Sequence, residues 1–280
     1  MEGDHFQLKS ELLGSQGLIS RVRSQVVPDS YGLAKRARKL AKERMISFTN
    51  PDQALSYLLS AEFEVYQTIE NKIFQEFISR AYEISSKEKH PTFRNTVQRM
   101  QKMVNQDRIE IVEAVGQVSP VIKLLSESFS QSRKTRAGNS LAIHISNLFH
   151  EFGMKEGIHF AHSKTISNLG RSLEFIFPAV DEQFSANVKI IAATKTTVND
   201  GVRSLFTQFP SHTDNYILTA SGSEVFGTRA SIENFVRQNV LKEGAKRGIK
   251  FVAIVEDDEL DLPDYVISYS TFFDNLKSLS

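Results

Sequence analysis

Cysteine is absent from the 280 residues. That absence removes disulfides, thiolate zinc sites and cysteine nucleophiles together, and it suits an intracellular protein. Long apolar runs are missing too. Stretches such as Val188 to Ala193 fall far short of the roughly 20 residues that a membrane helix needs. The first residues, Met1-Glu2-Gly3-Asp4-His5, are polar and acidic, without the basic-then-apolar order of a secretory leader. The reading is a cytoplasmic protein. An excess of one charge is also lacking: the net charge is +1, so any case for a polyanionic partner rests on where the cations lie. The chain has no internal repeat, no low-complexity tract, no P-loop and no dinucleotide fingerprint. Ser221-Gly222-Ser223 lacks the flanks of a hydrolase nucleophile elbow. His144 and His150 stand six apart, off the spacing for helical metal ligands, and no histidine-metal site is expected.

What is present is an ordinary globular composition, 40% hydrophobic and 24% charged, in a chain long enough for one large domain or two modest ones. The first half reads as helix. Pro28-Asp29-Ser30 opens one segment, with Leu33, Ala37, Leu40 and Ala41 at helical spacing. Asn50-Pro51-Asp52 opens a second. There Leu55, Leu58, Leu59, Phe63, Tyr66, Ile69, Ile73 and Phe77 step by threes and fours with one slip, which predicts a long amphipathic helix with a core-facing stripe. His90-Pro91 breaks it, and a third helix is expected from Phe93 through Val104. Residues 109–129 read as helix interrupted at Gly116 and Pro120. A polar stretch from Ser126 to Asn139 then suggests the join between two parts. The division expected is 1–130, a helical region, and 131–280, an α/β core.

Beyond the join the pattern changes. Ser140 to Phe152 reads as helix. Short β-type runs follow at Leu173 to Phe177, Val188 to Thr194, Tyr216 to Thr219 and Phe251 to Val255, with helical stretches at Gly201 to Phe206 and Ser231 to Glu243. Strands alternating with helices predict a mixed central sheet flanked by helices. Two residues stand out. Glu174 interrupts an apolar strand, and Lys195 ends another. A carboxylate and an ammonium at adjacent strand ends can hold a divalent metal and a water against a phosphodiester. By spacing alone the same pair is more often solvated strand-end charge.

Three segments carry a resemblance. Arg136-Ala137-Gly138-Asn139-Ser140-Leu141, Leu173-Glu174-Phe175-Ile176-Phe177-Pro178 and Ala192-Ala193-Thr194-Lys195-Thr196-Thr197 follow one another in that order. They resemble the R-A-G-x-S-L-E helix, the P-D-F-x-F-P strand and the A-x-K-T-T strand of the EcoRII C-terminal nucleases, within the PD-(D/E)XK class. The resemblance implies a restriction-endonuclease-like core and Mg²⁺-dependent cleavage of duplex DNA at a short, CC/GG-containing palindromic site by a homodimer. It makes Glu174 the metal carboxylate and Lys195 the catalytic lysine. It also places Asn199, Asp200 and Arg203 where the family reads bases. Three positions depart from the pattern: Ala142 and Gln208 stand where glutamates are expected, and Gly201 where a recognition arginine is expected. A diverged enzyme using Glu151 or Asp181 instead, a non-cleaving DNA binder, and an engineered change at Ala142 all remain open at this stage.

Two basic groups are candidates for phosphate contact. Lys35, Arg36, Arg38, Lys39, Lys42 and Arg44 give one helix a cationic face, which serves a sequence-blind contact or simply solvation. Arg133, Lys134 and Arg136 precede the core on an expected loop. The acidic run Glu256 to Glu259 reads as a solvated turn.

Overall fold

The Asn50-Pro51-Asp52 signal works because proline at a first helical position lacks an N–H that would have no partner anyway. Asn50 Oδ1 also accepts the Gln53 N–H at 3.1 Å. In the computed structural model, which describes residues 2–104, 111–162, 173–180, 187–222, 232–256 and 262–279, the resulting helix α4 spans Pro51–Ile84. It is preceded by α1 (Glu2–Leu13), α2 (Leu18–Val26) and α3 (Ser30–Glu43). Asp29 starts α3 by accepting the Gly32 N–H at 2.7 Å. Helix α5 (Pro91–Val104) follows the expected break, and the Glu11 carboxylate caps it by accepting the Thr92 and Phe93 N–H groups.

Helix α6 corrects two expectations. It runs unbroken over Ile111–Glu151, through Gly116, Pro120 and the polar stretch read as a join. The N–H that Pro120 lacks would have served the Gly116 carbonyl. Both residues are exposed, so water can satisfy that carbonyl. The polar stretch is part of a helix with a solvated outer side, not a loop.

The chain divides into two units: residues 1–33 with 63–136, and residues 34–62 with 137–280. A single boundary at 130/131 therefore gives way to an interleaved division, because α3, α4 and α6 each contribute to both units. The first unit is helical. Its core is built from Leu8, Leu12 and Leu18 of α1 and α2, Tyr66, Ile73 and Phe77 of α4, Phe93 of α5, and Leu124 and Leu125 of α6. Phe63 departs from the core-facing stripe at 50% exposure, while the neighbouring Glu62 is buried.

The second unit is built on a six-stranded mixed sheet, β1 (Ala161–His162), β2 (Phe175–Phe177), β3 (Ile190–Lys195), β4 (Asp214–Gly222), β5 (Ile249–Ile254) and β6 (Val266–Ser268), in that spatial order. Strands β1 to β3 pair antiparallel and β3 to β6 parallel. Between β3 and β4 lie a 3₁₀ turn (Asp200–Val202) and α7 (Arg203–Phe206). Helix α8 (Ile232–Lys246) joins β4 to β5, and α9 (Tyr269–Lys277) follows β6. The two-residue pleat sorts the apolar strand residues onto opposite faces. Phe175, Phe177, Ile190, Ala192, Tyr216 and Leu218 pack with Leu141, Ile145 and Phe149 of α6 and Phe272 of α9. Ile176, Ile191, Ala193 and Ile217 pack with Leu205 and Phe206 of α7 and Val240 and Leu241 of α8. The mixed sheet with helices on its faces is the α/β core expected from the alternating pattern. Among the described residues no helix is long and apolar enough to cross a membrane.

Candidate functional site

Parallel strands of such sheets carry their ligands beyond their carboxyl ends. Lys195 is the last residue of β3, in register with Thr219 of β4. Because β2 runs antiparallel, the residue just before it, Glu174, comes to the same end of β3. The Glu174 N–H donates to the Ala192 carbonyl at 3.0 Å. Its carboxylate oxygen Oε2 accepts the Thr194 N–H at 2.8 Å, one residue before Lys195. The side chain thus serves as a surrogate ladder acceptor where β2 begins. This bond fixes the direction of the carboxylate, and both Glu174 and Lys195 are half-buried. The structure places these two residues at the same end of the sheet.

The neighbouring strand end is braced from beneath. Thr219 Oγ1 donates to the Val252 carbonyl at 2.9 Å, and the Tyr269 hydroxyl donates to the Thr219 carbonyl at 2.8 Å. Burial pushes the Tyr269 hydroxyl well above its ordinary range, so it stays a proton donor at any working pH. Ser221 Oγ reaches the Thr196 carbonyl at 3.4 Å, tying the loop after Lys195 to β4.

That loop, the 3₁₀ turn and the start of α7 hold the expected base readers. Asn199 Oδ1 accepts the Gly201 N–H at 3.0 Å, so its side chain shapes the turn. Arg203 Nε lies 2.9 Å from Glu243 Oε2 on α8, an ion pair between residues well separated in sequence. Asp200 sits in the 3₁₀ turn, and its side chain lies outside the described ones. Gly201 could carry a side chain: a Cβ there would stand 3.1 Å from Asn199 Oδ1, tight but not blocked. Gln208 donates to the Ser204 carbonyl at 2.9 Å. Ala142 is half-buried against the core cluster of its sheet face. Of the substitute carboxylates, Glu151 is committed to an ion pair with Arg38, and Asp181 lies outside the described residues.

The basic groups are sorted differently from expectation. Arg133 and Arg136 lie within α6 rather than on a loop. Arg133 Nε pairs with Glu70 Oε1 at 3.0 Å, and Arg136 donates to the Pro28 carbonyl. Burial raises the Glu70 carboxyl above its ordinary value, with the Arg133 charge opposing the rise. The side chain of Lys134 lies outside the described ones. On α3, Lys35, Arg36 and Lys42 are exposed, and Lys39 makes only a loose 3.6 Å contact with Glu43. Arg38 is half-buried and pairs with Glu151 of α6.

Sequence reading missed a buried polar node. Glu62 on α4 accepts Ser140 Oγ at 2.7 Å and lies 2.6 Å from His144 Nε2, both on α6. His144 is fully buried. A glutamate set inside an otherwise apolar helical stripe was the available signal.

Comparisons with known proteins point to one family and one fold. The family described as EcoRII C terminal matches residues 97–240, just over half of the chain. The type II restriction enzyme EcoRII of Escherichia coli is 33% identical over 102 residues, covering 35% of this chain and 24% of that enzyme. The chain thus matches about a quarter of the curated relative. Two solved structures share the fold. Metal-depleted Ecl18kI in complex with uncleaved, modified DNA superposes with a TM-score of 0.64 at 15% identity, covering 94% of this chain and 82% of that one. A PspGI–substrate DNA complex gives 0.55 at 17% identity, covering 91% and 94%.

Proposed function

This chain belongs to the EcoRII C-terminal family, and from that premise we propose that it is a type II restriction endonuclease hydrolysing phosphodiester bonds of duplex DNA. The observation that carries the reading is the Glu174 carboxylate, fixed by the Thr194 N–H beside Lys195 at the carboxyl end of the parallel strands. Duplex DNA as partner is further supported by the solved relatives, both of which are DNA complexes.

The residues fit a Mg²⁺ site of the sparse kind. Such sites take one or two carboxylates and complete the shell with water and phosphate oxygens. Glu174 would hold the ion, and its Thr194 bond keeps the carboxylate from turning away. When bound there, the ion supplies charge neutralisation at the phosphate oxygens. Lys195 orients the attacking water and stabilises the negative charge that grows on the phosphate as the P–O bond to the leaving 3′ oxygen breaks. Arg203, at the start of α7, contacts bases, where a guanidinium matches guanine. A homodimer places one such site on each strand of a short palindrome.

The cations of α3 add a sequence-blind term. Removing Lys35 and Lys39 together is expected to reduce the slope of log affinity against log salt by about 1.8, from about 0.9 per phosphate contact. Mobility shifts at several salt concentrations measure it. An unchanged slope would place the phosphate contacts elsewhere.

A second reading, a non-cleaving DNA binder on the same fold, is favoured by Ala142, Gly201 and Gln208, which replace the functional residues expected by resemblance. One incubation separates the two. With long, sequence-diverse duplex DNA and Mg²⁺, the endonuclease yields discrete fragments. A specific mobility shift with intact DNA, in Mg²⁺ and in Mn²⁺, supports the binder instead.

A further inference from the structure

Arg203 and Glu243 come together through a glycine. Gly244 follows Glu243 on α8, and a Cβ at Gly244 would meet the Phe251 ring of β5 at 2.8 Å and the Phe206 ring of α7 at 3.3 Å. A bare backbone at that point lets α8 lie directly against β5 and α7. The helix then delivers the Glu243 carboxylate to the start of α7, where Arg203 begins the helix. Glu243 Oε2 takes Arg203 Nε at 2.9 Å, and Glu243 Oε1 stands 3.8 Å from Arg247 on the next turn of α8. One carboxylate therefore sits between two guanidinium groups, on a helix whose position is set by ring packing.

A guanidinium on a flexible stem recognises a base edge only if its plane is fixed before the DNA arrives, because ordering it on contact costs affinity. The fork that pairs with guanine O6 and N7 needs a defined plane and direction. A carboxylate at Nε sets both, from the side of the guanidinium nearest its stem.

We propose that Glu243 is a positioning residue for sequence discrimination, orienting Arg203 for base contact. This rests on the reading of Arg203 as a base-contacting residue in the proposed function. The pair is about two-fifths exposed on both sides, so its contribution to fold stability is small. Its effect lies in how sharply Arg203 distinguishes one duplex from another.

The test begins with a pool of duplexes randomised over a central segment, from which the wild-type protein selects its preferred sequence. Affinities for that duplex and an unrelated one then give a discrimination ratio. The added positive charge of a Glu243 variant acts on both duplexes alike and cancels in the ratio. Arg203→Lys is expected to lower the ratio tenfold or more, since the bidentate fork is lost. Glu243→Leu is expected to lower it by roughly fivefold. Glu243→Gln, whose amide oxygen still accepts from Nε, retains most of it. In an Arg203→Lys background, Glu243→Leu is expected to change the ratio no further, a non-additivity that a merely structural role does not produce. If Glu243→Leu leaves the ratio at the wild-type value while Arg203→Lys lowers it, the positioning role is overturned and the base contact stands. If Arg203→Lys also leaves the ratio unchanged, the base contact falls and the proposal with it. If wild-type protein enriches no duplex, the functional reading itself fails.

Discussion

Replacing Lys195 with alanine is expected to slow DNA cleavage by about a thousandfold while leaving duplex affinity within a few-fold, the size of effect associated with losing one positioned proton-transfer or charge-stabilising group. The separation of the two readouts follows from the geometry. Lys195 ends β3, and its backbone is held by the parallel register with β4. Its side chain is half-buried, so truncation to alanine leaves no closed cavity. The Glu174 carboxylate keeps its Thr194 partner, because that bond uses a backbone N–H that no side-chain substitution removes. The cations on α3 and the turn at Asn199 are likewise untouched. Lys195→Arg sharpens the test. It retains a positive charge but is planar, bulkier and never deprotonated at working pH, so it is expected to rescue binding fully and cleavage poorly. Cleavage by Lys195→Ala within tenfold of wild type would remove Lys195 from the chemistry. Loss of cleavage and binding in equal measure would make it a structural residue at the strand end.

The residues of the candidate site were visible in the sequence as local departures from the apolar pattern, and the family resemblance gave them their roles. A carboxylate inside an apolar strand and a lysine ending another are visible without knowing how the strands pair, and Leu173 to Phe177 and Val188 to Thr194 are apolar enough to announce themselves. Strands β1 and β6 gave no such signal, being two and three residues long and only partly buried. Helix α9 did carry one: Ser268 caps it by accepting the Thr271 N–H, and Tyr269, Phe272, Phe273 and Leu276 sit at helical spacing. Polarity misled over residues 126–139, where an exposed helix side and a loop have the same composition. Ser128 and Ser132 are buried there on the other side of α6, so the segment is amphipathic with small polar residues on its inner side. The α4 stripe misled at one position. Phe63 turns outward because Glu62 turns inward to Ser140 and His144, and a buried charge is legible only when its partners are known. The same limit hid the pairing of Arg203 with Glu243, which follows from the packing of α7 against α8 rather than from any local pattern.

Asp52→Ala is expected to destabilise the protein by about 3–5 kcal/mol, because it strands four donors at once, one buried and three half-buried. Asp52 is 1% exposed, in the first turn of α4. Its Oδ1 accepts the Val255 and Tyr269 N–H groups, each at 3.0 Å. Its Oδ2 accepts the Ser270 N–H at 2.8 Å and the Ser270 hydroxyl at 2.6 Å. One side chain therefore terminates β5, caps the start of α9 and fixes the entry of α4 against both. A carboxylate near an α-helix N-terminus is favoured by the dipole, and here the starts of two helices, α4 and α9, converge on it. Asp52→Asn is no gentle control, since the amide nitrogen would turn a donor toward N–H groups that need an acceptor. Ser270→Ala is the appropriate one. It removes only the hydroxyl bond and leaves all three N–H bonds in place, for an expected cost of about 1 kcal/mol. For a chain of this size each kcal/mol corresponds to about 2–4 °C in melting temperature, so Asp52→Ala is expected to melt roughly 10 °C lower and Ser270→Ala a few degrees lower. Thermal unfolding followed by circular dichroism measures both. A loss below about 1 kcal/mol for Asp52→Ala would mean that water replaces the carboxylate at little cost, and that the junction of β5, α4 and α9 is held by its apolar packing instead.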